Sequence, residues 1–410
     1  MSETFSVGDS DMNATRQAGT AQGAVLLMGS SLTIVGAVMV APILPKLAAE
    51  FVQNNPGTAA LVPLIATGPA LAIALFAPVA GWLADKLGRK ALLVLSTLVY
   101  GFAGAAPTVL NDLNAILLAR LLFGIAEACV MTCCTTLIGD YWQGETRVRY
   151  VNRQVVTIGS VGTFFFVVGG AAGEHSWRYP FYLYLLPILL VPAMATVLWE
   201  PSRNASTGAD DMPAAPISGG SLAWTIAVGY MLVFAGMICS FVVPVQTPGL
   251  MVEIGVRSST LIGIASGCGL LATLCGSIAW PRLRDRIGRR VVNAVLLALM
   301  GAGLYLLAHA HSVPTILMAV TIHGAGAGLL VPNAMLPLMR RLPHVSRGRG
   351  LGGFTAALYL GQFISPLVIA FSAAQFGGVR SAIVAIGLAA LACALAWLLT
   401  YFRKHPGDQS

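Results

Sequence analysis

The chain has 410 residues, 57% hydrophobic and only 10% charged, with a formal net charge of +8 and a mean hydropathy of +0.79. Soluble domains carry roughly 25% charged residues, so this composition excludes a water-soluble globular protein and points to a polytopic protein of the lipid bilayer. The positive balance does not indicate a nucleic-acid partner, because the basic residues fall in alternate loops between apolar runs, which is an orientation signal.

Residues 1–21 are polar and lack the basic n-region of a cleaved signal peptide; they read as a cytoplasmic tail. Apolar runs close to the ~20 residues that cross hydrocarbon as a helix then predict six spans, at 22–44, 58–83, 90–109, 114–140, 152–173 and 179–199. Residues 201–220, PSRNASTGADDMPAAPISGG, are rich in Pro, Gly, Ser and Asp and read as a cytoplasmic linker rather than a domain. Six more spans follow at 221–246, 258–281, 289–309, 313–340, 350–374 and 379–402, with a cytoplasmic tail from 404. The fold class is therefore all-α, with twelve transmembrane helices in two six-helix bundles, 22–200 and 221–403.

With both termini in the cytoplasm, 19 of the 24 Lys and Arg residues lie on that side. Lys46, Arg178, Arg257 and Arg380 lie outside, and Arg120 alone is within a span. That asymmetry predicts the orientation. The seven cysteines (129, 133, 134, 239, 268, 275 and 393) all fall in apolar spans, so no disulfide framework is expected.

The halves repeat at an offset of 200. GWLADKLGRK at 81–90 matches PRLRDRIGRR at 281–290, LLFG at 121–124 matches TIHG at 321–324, and RVR at 147–149 matches RGR at 347–349. Duplication of a six-helix unit keeps both copies in one orientation and implies a pseudo-two-fold axis along the membrane normal, with a site between the halves.

These features resemble the major facilitator superfamily of transporters, in particular its twelve-helix branch of drug/proton antiporters. The most specific mark is the family pattern G-x-L-a-D-r-x-G-r-[RK] between the second and third helices, carried by Gly81, Leu83, Ala84, Asp85, Gly88, Arg89 and Lys90. A second copy has Asp285, Gly288, Arg289 and Arg290, with Pro281 in place of the first Gly. The resemblance implies a cytoplasmic latch joining the halves, made of Gly81, Asp85, Gly88, Arg89, Asp285, Gly288 and Arg289. Independently of it, Gly81 suits close helix approach and Gly88 a tight reversal. The alternative is a basic loop that only sets topology, and this is the reading for Lys90, Arg284 and Arg286.

The fourth span carries the family pattern R-x-x-x-G-x-x-x-A as Arg120, Gly124 and Ala128; in relatives this Arg is linked to proton coupling. The fifth span departs from the exporter pattern. It keeps Gly169 and Gly170 but has Phe165 and Phe166 where Gly-Pro is expected, while Ser365 and Pro366 stand at the matching place in the eleventh.

Arg120 and Glu127 are seven residues apart, so they face the same way about 10 Å apart along a helix. Exposing either to lipid costs at least ~2.5–3.5 kcal/mol, so both should face the bundle interior or a wet cavity, which the resemblance lines with the first, fourth, seventh and tenth helices. Glu127 is the one carboxylate deep in a span, and with Arg120 it is the candidate for proton coupling. The expected mechanism is competition between proton and cargo; the alternative is a fixed Arg120–Glu127 bridge that orders the helix.

His323, Gln246, Tyr359 and Gln362 are candidate cavity residues, each with a packing role as the alternative. His309 and His311 read as solvated. Cys129, Met131, Cys133 and Cys134 suggest a soft metal, but they do not share one face, and no metal site is expected. No phosphate loop or catalytic triad appears, so neither an enzyme nor a cofactor is expected.

The sequence thus predicts a monomeric secondary transporter of a bacterial cytoplasmic membrane. Its partners would be protons and a small organic substrate such as a drug, siderophore or metabolite, exported by alternating access. Uptake of a small metabolite is the second reading, and a transporter-like sensor or scaffold the third.

Overall fold

A computed structural model describes residues 17–54, 56–201, 219–342 and 344–403. Most of the expected N-terminal tail and linker, and all of the C-terminal tail, lie outside them. The first half contains α1 (Thr20–Val38), a 3-10 turn at Ala41–Ile43, α2 (Leu44–Asn54), α3 (Leu64–Leu87), α4 (Arg89–Ala105), α5 (Leu113–Tyr141) and α6 (Gly144–Ala172). Its last span is broken into α7 (Tyr179–Tyr182), a 3-10 stretch at Leu183–Leu190 and α8 (Val191–Val197). Pro180, Pro187 and Pro192 along that stretch remove the N–H groups a continuous α-helix needs. The second half contains α9 (Gly219–Glu253), α10 (Ser259–Ala308), α11 (Val313–Arg341), α12 (His344–Phe376) and α13 (Val379–Arg403).

Eleven stretches among the described residues are long and apolar enough to span a membrane, yet the number of crossings is twelve. The 50 residues of α10 would make a rod of ~75 Å at 1.5 Å per residue, over twice the ~30 Å hydrocarbon core. Gly288, with φ 75° and ψ 153°, is non-helical and folds the segment into two antiparallel crossings. Gly88 holds φ 92° and ψ 141°, so the 200-residue repeat read from the sequence is repeated in backbone conformation. Both glycines occupy a region that side chains disfavour.

One buried apolar cluster fills the first bundle and two fill the second. Trp82, Phe102, Leu118, Phe164, Leu189, Phe371 and Leu395 point outward, an apolar girdle suited to lipid and not to water. The bundles meet along two seams, α6 on α10 and α3 on α12. Gly170 and Gly263 bring the backbones of α6 and α10 into contact; a Cβ on either would strike main-chain atoms of the other helix.

Candidate functional site

Arg120 is fully buried, and two breaks in helical hydrogen bonding create its partners. Pro69 inside α3 has no N–H, so the carbonyl four residues before it, on Ile65, has no helical donor; Arg120 Nε donates to that oxygen at 2.9 Å. The end of α1 at Val38 leaves its last carbonyls without helical partners. Arg120 Nη2 donates to Gly36 O at 2.6 Å, and Tyr184 Oη donates to the same oxygen at 2.8 Å. The guanidinium also lies 4.3 Å from the Phe123 ring centroid and 5.4 Å from that of Tyr184. Arg120 therefore clasps α1 and α3 to α5. Gly124 permits this approach, since a Cβ there would lie 2.5 Å from Pro69 O.

Glu127 is 3% exposed. The ion pairs within 4.0 Å among the described residues do not include one between it and Arg120. Its carboxylate lies against Gly36, whose absent Cβ would be 3.0 Å from Oε2. One glycine of α1 thus accepts the Arg120 guanidinium through its carbonyl and makes room for the Glu127 carboxylate at its Cα.

A cavity of about 250 Å³ lies between the halves. The first half lines it with Ile34, Ala37 and Val38 of α1, Ala66 and Thr67 of α3 and Phe166 of α6. From the second come residues of α9 including Met237 and Phe241, then Ser266, Leu270 and Thr273 of α10, and Val320, His323 and Ala327 of α11. Of the expected helices the first, seventh and tenth contribute. The fourth, α5, does not, because its charged face is turned onto α1 and α3; α3, α6 and α10 take its place. Arg120 and Glu127 are absent from the lining, whereas Val320, His323 and Ala327, at the positions matching Arg120, Phe123 and Glu127, are in it.

His323 is the one sequence candidate for the cavity that lines it; its Nε2 is 3.2 Å from Cys239 O. Gln246 is half-buried, and Gln362 is buried, outside the lining. Tyr359 lies outside it as well, donating from Oη to Met131 Sδ at 3.3 Å and so linking α12 to α5 across the halves. Phe166, where Gly-Pro was expected, is a wall of the cavity.

On the face that carries the basic loops, Arg89 pairs with Asp140 at the end of α5 and lies 3.7 Å from Asp85. Glu200 accepts from the N–H groups of Arg89 and Lys90 at 2.7 and 2.9 Å, capping α4. A Cβ on Gly88 would lie 3.0 Å from this carboxylate, whereas Gly81 and Gly288 face open space. Asp285 pairs with Arg284 at 2.6 Å, which gives Arg284 a partner beyond setting topology. The second half replaces the Arg89 clasp with a buried network: Asn333 donates to Arg289 O at 3.2 Å and to Asn293 at 2.6 Å, and accepts from Trp280 Nε1 at 3.0 Å. Sequence reasoning missed Asp140, Glu200 and Asn333; a polar residue at the end of a span, or within one, was the available signal.

On the opposite face Glu174, just beyond α6, crosses to the other bundle. Its Oε2 accepts from Thr260 N–H at 3.0 Å, Thr260 Oγ1 at 3.1 Å and Ser258 Oγ at 3.3 Å. The Thr260 N–H, first among these, holds the Glu174 carboxyl below its ordinary value. Lys46 Nζ fixes the same turn by donating to Gly173 O and Glu174 O at 2.7 and 2.5 Å.

Comparison with known proteins agrees with the fold. The sequence model of the Major Facilitator Superfamily matches residues 26–256 and 226–410. The class E tetracycline resistance protein of Escherichia coli is 26% identical over 351 residues, 83% of this chain and 85% of that protein. The quinolone resistance protein NorA of Staphylococcus aureus (strain MRSA252) is 25% identical over 185 residues, 45% of this chain; the match spans less than half of NorA, 47% of its length. Among solved structures, a D-xylose–proton symporter superposes with a TM-score of 0.74 at 16% identity, covering 92% of this chain and 97% of that one. A bacterial homologue of the human lysosomal transporter Spinster, inward-facing and unoccupied, also gives 0.74, at 15% identity, covering 94% and 97%.

Proposed function

The chain belongs to the Major Facilitator Superfamily and is a multi-pass secondary transporter, and on that premise we propose that it exports a small organic compound in exchange for protons. The observation that carries the reading is Glu127: a carboxylate 3% exposed, with no ion pair within 4.0 Å among the described residues, packed against the α1 glycine that Arg120 grips. A buried carboxylate exchanges its proton when a change of conformation alters its distance from water and from a nearby cation. Arg120 supplies the fixed positive field and the clasp, and Glu127 takes and releases the proton.

Cargo and proton occupy different compartments, because Ile34, Ala37 and Val38 line the cavity while Gly36 faces Glu127. Direct competition for one carboxylate therefore gives way to coupling through α1, whose movement both compartments bias. Export is favoured by the similarity to the tetracycline and quinolone resistance proteins, and the excess of basic residues on one face, nineteen of 24, supports a cytoplasmic position for that face in a bacterial inner membrane. The proposed working unit is a monomer, since the cavity is enclosed by one chain.

Accumulation of a panel of small organic compounds in cells tests this. Cells expressing the chain should hold less of the cargo than cells lacking it, and a protonophore or Glu127→Gln should abolish the difference. Greater accumulation in expressing cells would mean uptake instead.

A further inference from the structure

Ser and Thr hydroxyls in membrane helices usually donate to a carbonyl three or four residues earlier. Ser30, Ser96, Thr97, Thr136, Thr163 and Thr321 all do so. In the cavity wall Thr273 does the same, donating to Gly269 O at 3.0 Å. Of the wall's other three hydroxyl residues, Ser240 is half-buried, while two are buried and do not. Thr67 Oγ1 and Ser266 Oγ are buried, the residues 0% and 4% exposed, and neither has a hydrogen-bond partner among the described residues; Thr247 and Ser259 share that state but lie outside the wall.

A buried hydroxyl without a partner has given up its hydration for nothing in return and calls for an explanation in a ligand or water. These two stand on opposite halves, on α3 and on α10. They are also near-equivalents under the internal repeat, since Ser266 matches Ala66, the neighbour of Thr67 and itself in the wall. The remaining wall is mostly aliphatic and aromatic, and no Asp, Glu, Lys or Arg lines it. Its 250 Å³ falls below the ~300–1,000 Å³ usual for ligand pockets.

We propose that Thr67 and Ser266 are the cargo-gripping pair, and that the cavity takes a small, uncharged, largely apolar molecule carrying one hydroxyl or carbonyl group. An ion entering this wall would lose its hydration with no carboxylate, ammonium or guanidinium to replace it, and His323, the wall's titratable side chain, has its Nε2 engaged by Cys239 O. A neutral alcohol satisfies both hydroxyls, accepting from one and donating to the other. Because the two lie on different bundles, such a cargo is held fully only while the halves are closed around it, which gives binding a preference between conformations.

The inference rests on the chain being a transporter with its cargo site between the halves, and not on the direction of transport or on protons. The test is equilibrium binding of tritiated probes sharing one skeleton to the purified full chain at pH 7, by scintillation proximity: 3-phenylpropanol, 3-phenylpropylammonium, 3-phenylpropanoate and n-propylbenzene. The alcohol should bind at least ~10-fold more tightly than either ion. Thr67→Val and Ser266→Ala should each weaken the alcohol by about 5- to 10-fold, the worth of one hydrogen bond, while leaving n-propylbenzene unchanged. Retained n-propylbenzene affinity also shows that each variant is folded. Equal or tighter binding of an ion, equal loss for alcohol and hydrocarbon in the variants, or no binding of the alcohol to the wild type would each overturn the proposal. If the binding order holds but cargo moves no protons across vesicles, the proton-exchange reading fails and the site stands.

Discussion

If Arg120 is held by carbonyls that a proline and a helix end set free, removing the guanidinium and restoring the missing N–H should offset one another. Arg120→Met leaves Ile65 O buried without a donor, at about 1–3 kcal/mol. It also forfeits the contact with the Phe123 face, worth about 0.5–2 kcal/mol. Gly36 O keeps the Tyr184 hydroxyl, so its loss is smaller, and release of a buried charge returns part of the total. A net destabilisation of about 1–3 kcal/mol is expected. Pro69→Ala supplies an N–H that can reach Ile65 O within α3. In the Arg120→Met background that bond should return about 1 kcal/mol, whereas in the wild type it competes with Arg120 Nε and returns little. The effect of Pro69→Ala on the unfolded chain is the same in both backgrounds and cancels in the double-mutant cycle. Unfolding in mixed dodecyl maltoside and SDS micelles, followed by far-ultraviolet circular dichroism, gives the four values. Additivity within about 0.5 kcal/mol would refute the account of the clasp.

Glu174→Ala should accelerate amide hydrogen exchange at the start of α10, around Thr260. Because the Glu174 carboxyl is held below its ordinary value, its bonds across the halves are complete at neutral pH and are lost only as pH falls through that lowered value. Protection corrected for intrinsic rates should thus be equal at pH 7 and pH 5.5, and a loss between them would contradict the assignment. Gly88→Ala should lower the melting temperature more than Gly288→Ala. Both incur the ~1–3 kcal/mol of a side chain at positive φ with extended ψ, but only the first also displaces the Glu200 cap; equal shifts would remove the cap from the explanation. Asn333→Leu should cost about 2–4 kcal/mol by orphaning Trp280 Nε1 and Asn293, read from the same micellar unfolding; a loss below 1 kcal/mol would mean the network relaxes onto other partners.

The twelve crossings and the duplication were legible because apolar length and a fixed offset are properties of the chain alone. The offset even identified the Gly88 and Gly288 reversals, the second of which is hidden in a helix of 50 residues. The burial of Arg120 and Glu127 was legible from the cost of charge in lipid. Their partners were not. Pro69 announces an unpaired carbonyl, yet which side chain reaches it depends on how α3 and α5 pack, and that depends on Gly124 meeting Pro69. Thr67 and Ser266 were illegible for a related reason: a hydroxyl bonded to its own helix and one left free look alike in sequence. Asp140 and Glu200 ended apolar runs and read as boundaries, although one pairs with Arg89 and the other caps its helix.

The central claim, that Glu127 carries the proton exchanged for cargo, is tested most directly in everted membrane vesicles whose interior has been acidified by respiration. Acridine orange fluorescence reports the pH gradient as cargo is added. Wild-type vesicles should release protons on each addition, and Glu127→Gln vesicles should hold their gradient while still binding the cargo. Proton release that survives in Glu127→Gln would contradict the account.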